Sequence, residues 1–171
     1  MLCAHRRGPF GVETLNRRIE RALVAAGLCP GPGHYPFRPF LVTRNDYQLD
    51  LFNGDVGIVL ADSTDSSRLR AWFETGDGGL RRVPVARLPD HETCWAMTVH
   101  KSQGSEYERV AVVLPNRPSP VLTGELIYTA VTRARTAAVV LGAPGVLVDA
   151  VSRRVRRASG LREALWGARE R

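Results

Sequence analysis

The chain has 171 residues, 44% of them hydrophobic, which suffices for one substantial core, and no run approaches the roughly 18 apolar residues of a membrane-spanning helix. The odd cysteine count of 3 fits a reducing compartment, and Met1–Arg7 lacks the order of a secretory signal, so we predict a cytoplasmic protein. The net charge of +7 favours polyanionic partners, although an arginine-rich composition that only keeps the protein in solution explains it equally well.

The first 35 residues predict a strand, a helix and a boundary. Leu2–Ala4 has the apolar character of a strand end, and Val12–Ala26 carries an apolar stripe at helical spacing. Because so short a strand has no neighbouring partner in the sequence, we expect the chain to be a piece of a longer protein. Glycine and proline concentrate between Cys29 and His34, which is typical of a module boundary.

Short β runs separated by glycine-containing turns follow this boundary. They are Pro39–Thr43, Val56–Ala61, Arg70–Phe73 and Arg81–Pro84. Four or five short strands in succession predict a small barrel. We therefore assign residues 36–89 to an inserted β module, which must lean on its flanks because so small a unit buries little surface alone.

After Leu88 and Pro89 the pattern changes to alternating strands and helices. The predicted strands are Cys94–Thr98, Arg109–Leu114 and Ala137–Leu141, and the predicted helices are Thr123–Arg135, Gly145–Arg156 and Leu161–Ala168. This alternation with short loops predicts an α/β domain, in which helices cover a parallel or mixed sheet. We assign residues 1–35 and 90–171 to that domain.

A polar segment, Thr98–Glu106, lies between two predicted strands. Because α/β sheets place ligands at the carboxyl ends of strands, we predict a binding site here. The hydroxyls of Thr98 and Ser102 suit phosphate oxygens, as do backbone amides near Gly104 and the ammonium of Lys101, the only lysine of the sequence. The alternative is a polar strand-to-helix turn that binds no ligand.

The predicted helix that follows ends on Arg133 and Arg135, which point to roughly opposite flanks. Only one of them can then easily reach a given ligand, and Arg133 is better held by packing against Leu126 and Ala130. A fixed guanidinium is planar, always charged and bidentate, which suits the charge that develops in phosphoryl transfer. The alternative is an arginine pair that interacts only with the helix dipole.

Taken together, these segments resemble the RecD (exodeoxyribonuclease V alpha subunit) group of superfamily 1 DNA helicases. Trp95–Glu106 is similar to helicase motif V of this group, and Tyr128–Arg135 is similar to its motif VI. Arg6–Val12 with Leu15–Asn16 resembles motif IV, and Arg44–Gly57 resembles the start of the SH3-like 2B insertion. The segments occur in the family's order over nearly the whole chain.

The resemblance implies a RecA-like second motor domain (2A), with the 2B insertion at residues 36–89, and a nucleotide site. Arg133 would contact the γ-phosphate of ATP. Gly104 and Glu106 would lie near the nucleotide. Arg6 would face the phosphates across the cleft, a role that the adjacent Arg7 could take instead.

The resemblance also implies DNA contacts and protein partners. Four residues of motif V would touch single-stranded DNA or relay its state to ATP: Thr98, His100, Lys101 and Ser102. The implied protein is a 5′ to 3′ helicase that works with RecB- and RecC-like subunits in double-strand-break repair.

The chain departs from the family in lacking a GxxxxGK[ST] loop and an acidic strand end for Mg²⁺. ATP with Mg²⁺ would therefore need an upstream motor domain (1A) or another molecule, and we predict no metal ligands and no ATP hydrolysis for this chain alone. Two alternatives stay open. One is a free-standing, non-catalytic module that binds nucleic acid or a partner protein. The other is a related repair or mobilisation helicase with different partners.

Overall fold

A computed structural model describes residues 1–62, 64–65 and 68–153. Its elements are β1 (Leu2–Cys3), α1 (Val12–Ala25), β2 (Pro39–Val42), β3 (Val56–Ala61), β4 (Leu69–Glu74), β5 (Leu80–Pro84), β6 (His91–Thr93), β7 (Met97–Thr98), β8 (Tyr107–Val113), α2 (Gly124–Val131), β9 (Ala134–Leu141) and α3 (Pro144–Ser152). Short 3₁₀ helices follow β5 and β7, at Val85–Arg87 and His100–Ser102. The predicted helix Leu161–Ala168 lies outside the described residues.

The first sheet is parallel throughout, with the strand order β7-β1-β8-β9. Helices α2 and α3 pack on one face, where Leu126, Ala130 and Ala150 join the core that contains Leu2 and Val112. Helix α1 packs on the other face, where apolar side chains of β1, β8 and α1 form a smaller cluster. The predicted α/β architecture, with helices covering a parallel sheet, is therefore confirmed.

Strand β1 lies in the interior of this sheet although it is only two residues long. Leu2 is aligned with Met97 on one side and with Val112 on the other. Both partners lie more than half the chain away, which explains why the sequence around β1 shows no partner for it. The position of β1 also sets where the loop that follows it emerges, at the carboxyl edge of the sheet.

The second sheet is antiparallel, with the order β5-β4-β3-β2-β6, and it confirms the four predicted short strands of the inserted region. Its core contains Phe40, Val59 and Phe73. A fifth strand, β6, pairs with β2 and aligns His91 with Val42. The predicted boundary between residues 89 and 90 therefore falls before the last strand of this sheet, and closure into an SH3-like barrel stays a prediction.

The side chain of Asn16 on α1 connects the helix to the segment that joins the two sheets. Its Nδ2 donates to the carbonyl oxygens of Thr93 (2.8 Å) and Ala96 (3.0 Å), and its Oδ1 accepts from the Ala96 N–H (2.7 Å). Leu41 of β2 packs into the core of the parallel sheet rather than that of its own sheet. The two sheets therefore share a packed and hydrogen-bonded junction.

Replacing Gly57 with alanine should destabilise the antiparallel sheet. An added Cβ would lie 2.5 Å from Phe40 Cζ and 2.8 Å from the Trp72 carbonyl oxygen, and the Phe40 side chain is fully buried. We expect the free energy of unfolding to fall by about 1–3 kcal/mol, as for other overpacked cores, measured by urea denaturation. Gly76→Ala is the control, since its Cβ would meet no atom within 4 Å. Equal losses for the two variants would contradict this packing argument.

Candidate functional site

Arg133 lies directly after α2, at the amino end of β9. The helix begins at the cap residue Thr123, whose Oγ1 accepts from the Leu126 N–H, and it ends at Val131 rather than at Arg135 as predicted. Arg133 Nε donates to the Thr129 carbonyl oxygen (3.2 Å), and Nη1 donates to the Ser105 carbonyl oxygen (3.3 Å). Two backbone carbonyls from different segments therefore fix the half-buried guanidinium.

Arg135 meets the same segment as Arg133, so the prediction that the two arginines point to opposite flanks is wrong. Because the helix has ended, the chain turns after Thr132 and Arg135 lies in β9. Its Nε donates to Glu106 Oε2 (3.1 Å) in an exposed ion pair. The two arginines thus reach neighbouring residues, 105 and 106, and sequence reasoning missed Arg135 because it placed the start of β9 too late.

Gly104 allows the turn that brings these residues to the amino end of β8. Its φ of +84° lies in the left-handed region, which residues with a Cβ rarely adopt. Tyr107 begins β8, and its N–H donates to the Arg133 carbonyl oxygen (2.8 Å). Burial raises the pKa of the Tyr107 phenol, while the Ser105 hydrogen bond and the Arg133 charge act in the opposite direction. The phenol is therefore uncharged at neutral pH, so it does not compete with an anionic ligand for Arg133.

The charges at this amino edge favour an anionic ligand. Two guanidinium groups, from Arg133 and Arg135, stand beside one carboxylate, from Glu106. Arg133 Nη2 has no hydrogen-bond partner within the described residues, which leaves donor capacity on a group whose position is otherwise fixed. Such a group can donate to a phosphate oxygen without reorganising.

The structure does not bring Arg6 together with Arg133. Arg6 follows the carboxyl end of β1, which is aligned with Val112 and Val113 at the end of β8, whereas the residue after Arg133 is aligned with Tyr107 at its start. The seven residues of β8, at about 3.3 Å each, put roughly 20 Å between these edges. The two arginines therefore lie at different edges of this domain, and the prediction that Arg6 faces the phosphates across the cleft stays a prediction.

Instead, Arg6 forms two ion pairs at the carboxyl edge. Its Nε donates to Glu13 Oε1 (3.0 Å) and its Nη2 donates to Glu92 Oε2 (2.9 Å). These carboxylates raise the pKa of Arg6, with the Glu13 hydrogen bond as the largest cause. Arg7 is more exposed and comes within 3.9 Å of Glu13. Both arginines therefore belong to a charged cluster that links the β1–α1 loop, α1 and β6.

The residues predicted to contact DNA lie in the first half of the polar segment, near the carboxyl end of β7. His100 is exposed, and Thr98 Oγ1 accepts from the Lys101 N–H (3.3 Å). Ser102 is fully buried and its Oγ donates to the Val99 carbonyl oxygen (2.8 Å). A direct DNA contact by Ser102 is therefore contradicted, whereas a role in holding the turn that joins the two ends of the segment is compatible with its burial.

Lys101 contacts the inserted module. Its Nζ donates to Asn53 Oδ1 (2.7 Å), in the turn between β2 and β3. Sequence reasoning missed this contact, because 48 residues separate the two side chains and no local pattern connects them. The solitary lysine therefore lies where the parallel sheet and the antiparallel sheet meet at the surface.

Comparison with known proteins identifies the segment that carries these residues. Residues 93–141 match the model of the UvrD-like helicase C-terminal domain. This range includes the polar segment and both arginines, and it excludes Arg6 and most of the antiparallel sheet.

Relatives cover almost the whole chain. It is 48% identical to the RecBCD enzyme subunit RecD of Mycobacterium tuberculosis over 166 residues, or 96% of this chain and 28% of that protein. It is 35% identical to the ATP-dependent RecD2 DNA helicase of Deinococcus radiodurans over 143 residues, or 79% of this chain and 19% of that protein. The chain thus spans less than a third of the length of these relatives.

A solved structure supports the fold. The crystal structure of Pif1 helicase from Candida albicans matches 84% of this chain and 44% of that chain, with a TM-score of 0.51 and 18% identity. This likeness confirms the predicted RecA-like motor architecture of the parallel sheet and its helices. The sequence relatives lead to one conclusion: over almost its whole length the chain is similar to the RecD family of helicase sequences, in the region that carries the UvrD-like helicase C-terminal domain.

Proposed function

We propose that this chain is the second motor domain, 2A, of an ATP-dependent 5′ to 3′ DNA helicase of the RecD type. The observation that carries the proposal is the fixed guanidinium of Arg133 beside Gly104, Ser105 and Glu106 at one edge of a motor-type sheet. An ATP molecule held by the P-loop of a first motor domain, 1A, would present its γ-phosphate to this edge. The described residues supply cationic donors for that phosphate, whereas the phosphate cradle and the Mg²⁺ ligands would come from domain 1A.

In this proposal Arg133 stabilises the charge that spreads over the γ-phosphate oxygens as the bond to the leaving group breaks. The guanidinium is already fixed by two backbone carbonyls, so little reorganisation is needed at the moment of reaction. Glu106 forms an ion pair with Arg135, which lies next to Arg133. Its negative charge partly offsets the two positive charges at this edge. Arg6 belongs to the same proposal as a residue that would face the phosphates across the cleft, from the other edge of the sheet.

Single-stranded DNA would contact the other end of the polar segment, through Thr98, His100 and Lys101. Phosphate contacts of this kind read no base sequence and suit a translocating motor. The segment from Thr98 to Glu106 is nine residues long and leads from the proposed DNA contacts to the nucleotide edge. Ser102, buried between them, would transmit movement from one end to the other.

The organisation and partners of the whole protein belong to the same proposal. Residues 1–35 and 90–171 form domain 2A and residues 36–89 form an SH3-like 2B insertion, to which β6 adds a strand. RecB- and RecC-like subunits are the proposed partners, supported by the name of the RecBCD relatives. A cytoplasmic location is supported by three buried cysteines that form no disulfide.

The proposal is tested by joining this chain to the P-loop domain 1A of a RecD-type helicase. We expect DNA-stimulated ATP hydrolysis from the joined protein and none from the 171-residue chain, measured by phosphate release. Single-stranded DNA should bind to both. If the joined protein binds DNA but hydrolyses no ATP, the motor proposal fails and the non-catalytic binding module is the better description.

A further inference from the structure

The loop between β2 and β3 carries two exposed aromatic rings next to the proposed DNA contacts. We call residues 44–54 the aromatic loop. The side chain of Tyr47 is 79% exposed and that of Phe52 is 43% exposed. Their ring centroids lie 6.1 Å apart at an interplanar angle of 76°, so the rings meet edge to face. This arrangement leaves ring faces open to solvent.

The aromatic loop is held in place by its own hydrogen bonds and by a neighbouring strand. Asp46 and Leu51 exchange two backbone hydrogen bonds (2.7 and 2.9 Å), and Leu51 is buried in the core of the antiparallel sheet. Arg81 of β5 donates to the Leu49 carbonyl oxygen (3.2 Å) and to Asp50 Oδ2 (2.7 Å). The rings are therefore presented from a fixed loop, which lowers the entropy cost of binding a ligand on them.

The aromatic loop is joined directly to Lys101. Asn53 Oδ1 accepts from Lys101 Nζ (2.7 Å), and the Asn53 N–H donates to Asn45 Oδ1 (2.8 Å). Asn45 Nδ2 in turn donates to the Tyr47 hydroxyl (3.4 Å). A cation that suits a phosphate and two rings that suit a base thus lie side by side on one surface.

The carboxylates in and next to the aromatic loop all have hydrogen-bond or ion-pair partners. Asp46 Oδ1 accepts from the N–H groups of Gln48 and Leu49, and Asp50 is paired with Arg81. Asp55, just beyond the loop, accepts from the Phe52 N–H (2.8 Å). These carboxylates stabilise the loop, which exposes aromatic and amide side chains together with Arg44 and Asp50, whose charges are paired with Asp90 and Arg81.

We propose that Tyr47 and Phe52 form a stacking platform for an unpaired base of single-stranded DNA whose phosphate contacts Lys101. The inference rests on the proposed function for the presence of DNA, and it extends the DNA path from the parallel sheet onto the inserted module. Every base has a π face, so a platform of this kind tolerates all sequences, as a translocating motor requires.

The test compares binding of fluorescein-labelled oligo(dT) to the full chain and to its Tyr47→Leu and Phe52→Leu variants by fluorescence anisotropy. Leucine keeps apolar bulk but has no ring face. We expect each variant to bind about 5- to 150-fold more weakly, the effect of losing one base stack. The same variants should bind an abasic oligomer of equal length as the parent does, because that ligand has phosphates but no bases.

Two control variants separate stacking from charge and from general damage. Phe37→Leu removes another exposed ring, 67% exposed, before the start of β2 and at the opposite end of that strand from the aromatic loop, and should bind oligo(dT) like the parent. Lys101→Ala should lower the slope of log affinity against log salt by about 1, whereas Tyr47→Leu should leave that slope unchanged. Phe52→Tyr, which restores a ring, should bind like the parent.

The outcomes are distinguishable. If Lys101→Ala weakens oligo(dT) binding and the leucine variants do not, the stacking platform is wrong while the proposed DNA contacts stand. If the leucine variants change only the association of the chain with itself or with another protein, the aromatic loop is a protein contact and the inference is overturned. If the parent binds no DNA at all, both the platform and the DNA part of the proposed function fail.

Discussion

Arg133→Ala is expected to lower DNA-stimulated ATP hydrolysis by about 10³- to 10⁵-fold in the protein that joins this chain to domain 1A. The reason is that the guanidinium acts on charge that develops in the transition state, while the P-loop of domain 1A supplies most of the binding of ground-state ATP. Nucleotide affinity should therefore change little. Single-turnover phosphate release measures the hydrolysis rate, and binding of a fluorescent ATP analogue measures the nucleotide affinity.

Arg135→Ala is the matched control for Arg133→Ala. It removes a neighbouring guanidinium whose ion pair with Glu106 is exposed and contributes only about 0–1 kcal/mol to stability. Its hydrolysis rate should fall far less. Arg133→Lys should stay close to Arg133→Ala, since an ammonium cannot hold two carbonyls and a phosphate with planar geometry. Unchanged hydrolysis in Arg133→Ala, or an equal loss in Arg135→Ala, would refute the assigned role of Arg133.

Asn16→Ala is expected to be among the most destabilising changes in the described part of the chain. It removes three hydrogen bonds and leaves the buried N–H and carbonyl of Ala96, and the carbonyl of Thr93, without the partner that they have now. Burying such groups unpaired costs more than the net value of the bonds, so we expect a loss of about 2–4 kcal/mol in the free energy of unfolding. Urea denaturation followed by circular dichroism measures it.

Two variants make the Asn16 prediction specific. Arg18→Ala, two residues further along α1 and exposed, should change the free energy of unfolding by no more than about 0.5 kcal/mol. Asn16→Asp keeps the acceptor for the Ala96 N–H but directs a carboxylate oxygen at two carbonyl oxygens, so at neutral pH it should destabilise the chain at least as much as alanine. Full stability of Asn16→Asp would mean that the hydrogen bonds to Thr93 and Ala96 do not hold this junction.

Local patterns predicted most of the elements because they depend on neighbouring residues only. The apolar stripe of α1 repeats at helical spacing, and β3 begins and ends at the residues that were predicted. The polar segment between β7 and β8 was also identified from sequence, since a run of hydrogen-bonding residues between two apolar strands has few structural uses. The same segment carries the likeness to the helicase families.

Errors arose where an element ends or where distant segments meet. The helix containing Thr129 was extended to Arg135, because its apolar spacing continues into a strand whose first residue, Ala134, is also a good helix former. That error separated two arginines that the fold brings to one edge. The resemblance put both Arg6 and Arg133 near the nucleotide, but no sequence pattern reveals that β1 ends level with the far end of β8.

The sequence by itself determined the class of the fold, the positions of most helices and strands, and the polar segment and arginines that carry the proposed chemistry. Periodicity, turn residues and motif spacing involve residues that are close together in the chain, so they can be recognised in a single sequence. Only the tertiary structure decided that β1 is an interior strand, that Ser102 is buried, that Arg133 and Arg135 meet residues 105 and 106, and that Lys101 contacts Asn53. These are contacts between segments far apart in the chain, set by strand register and by the packing of helices on the sheet, to which no local pattern corresponds.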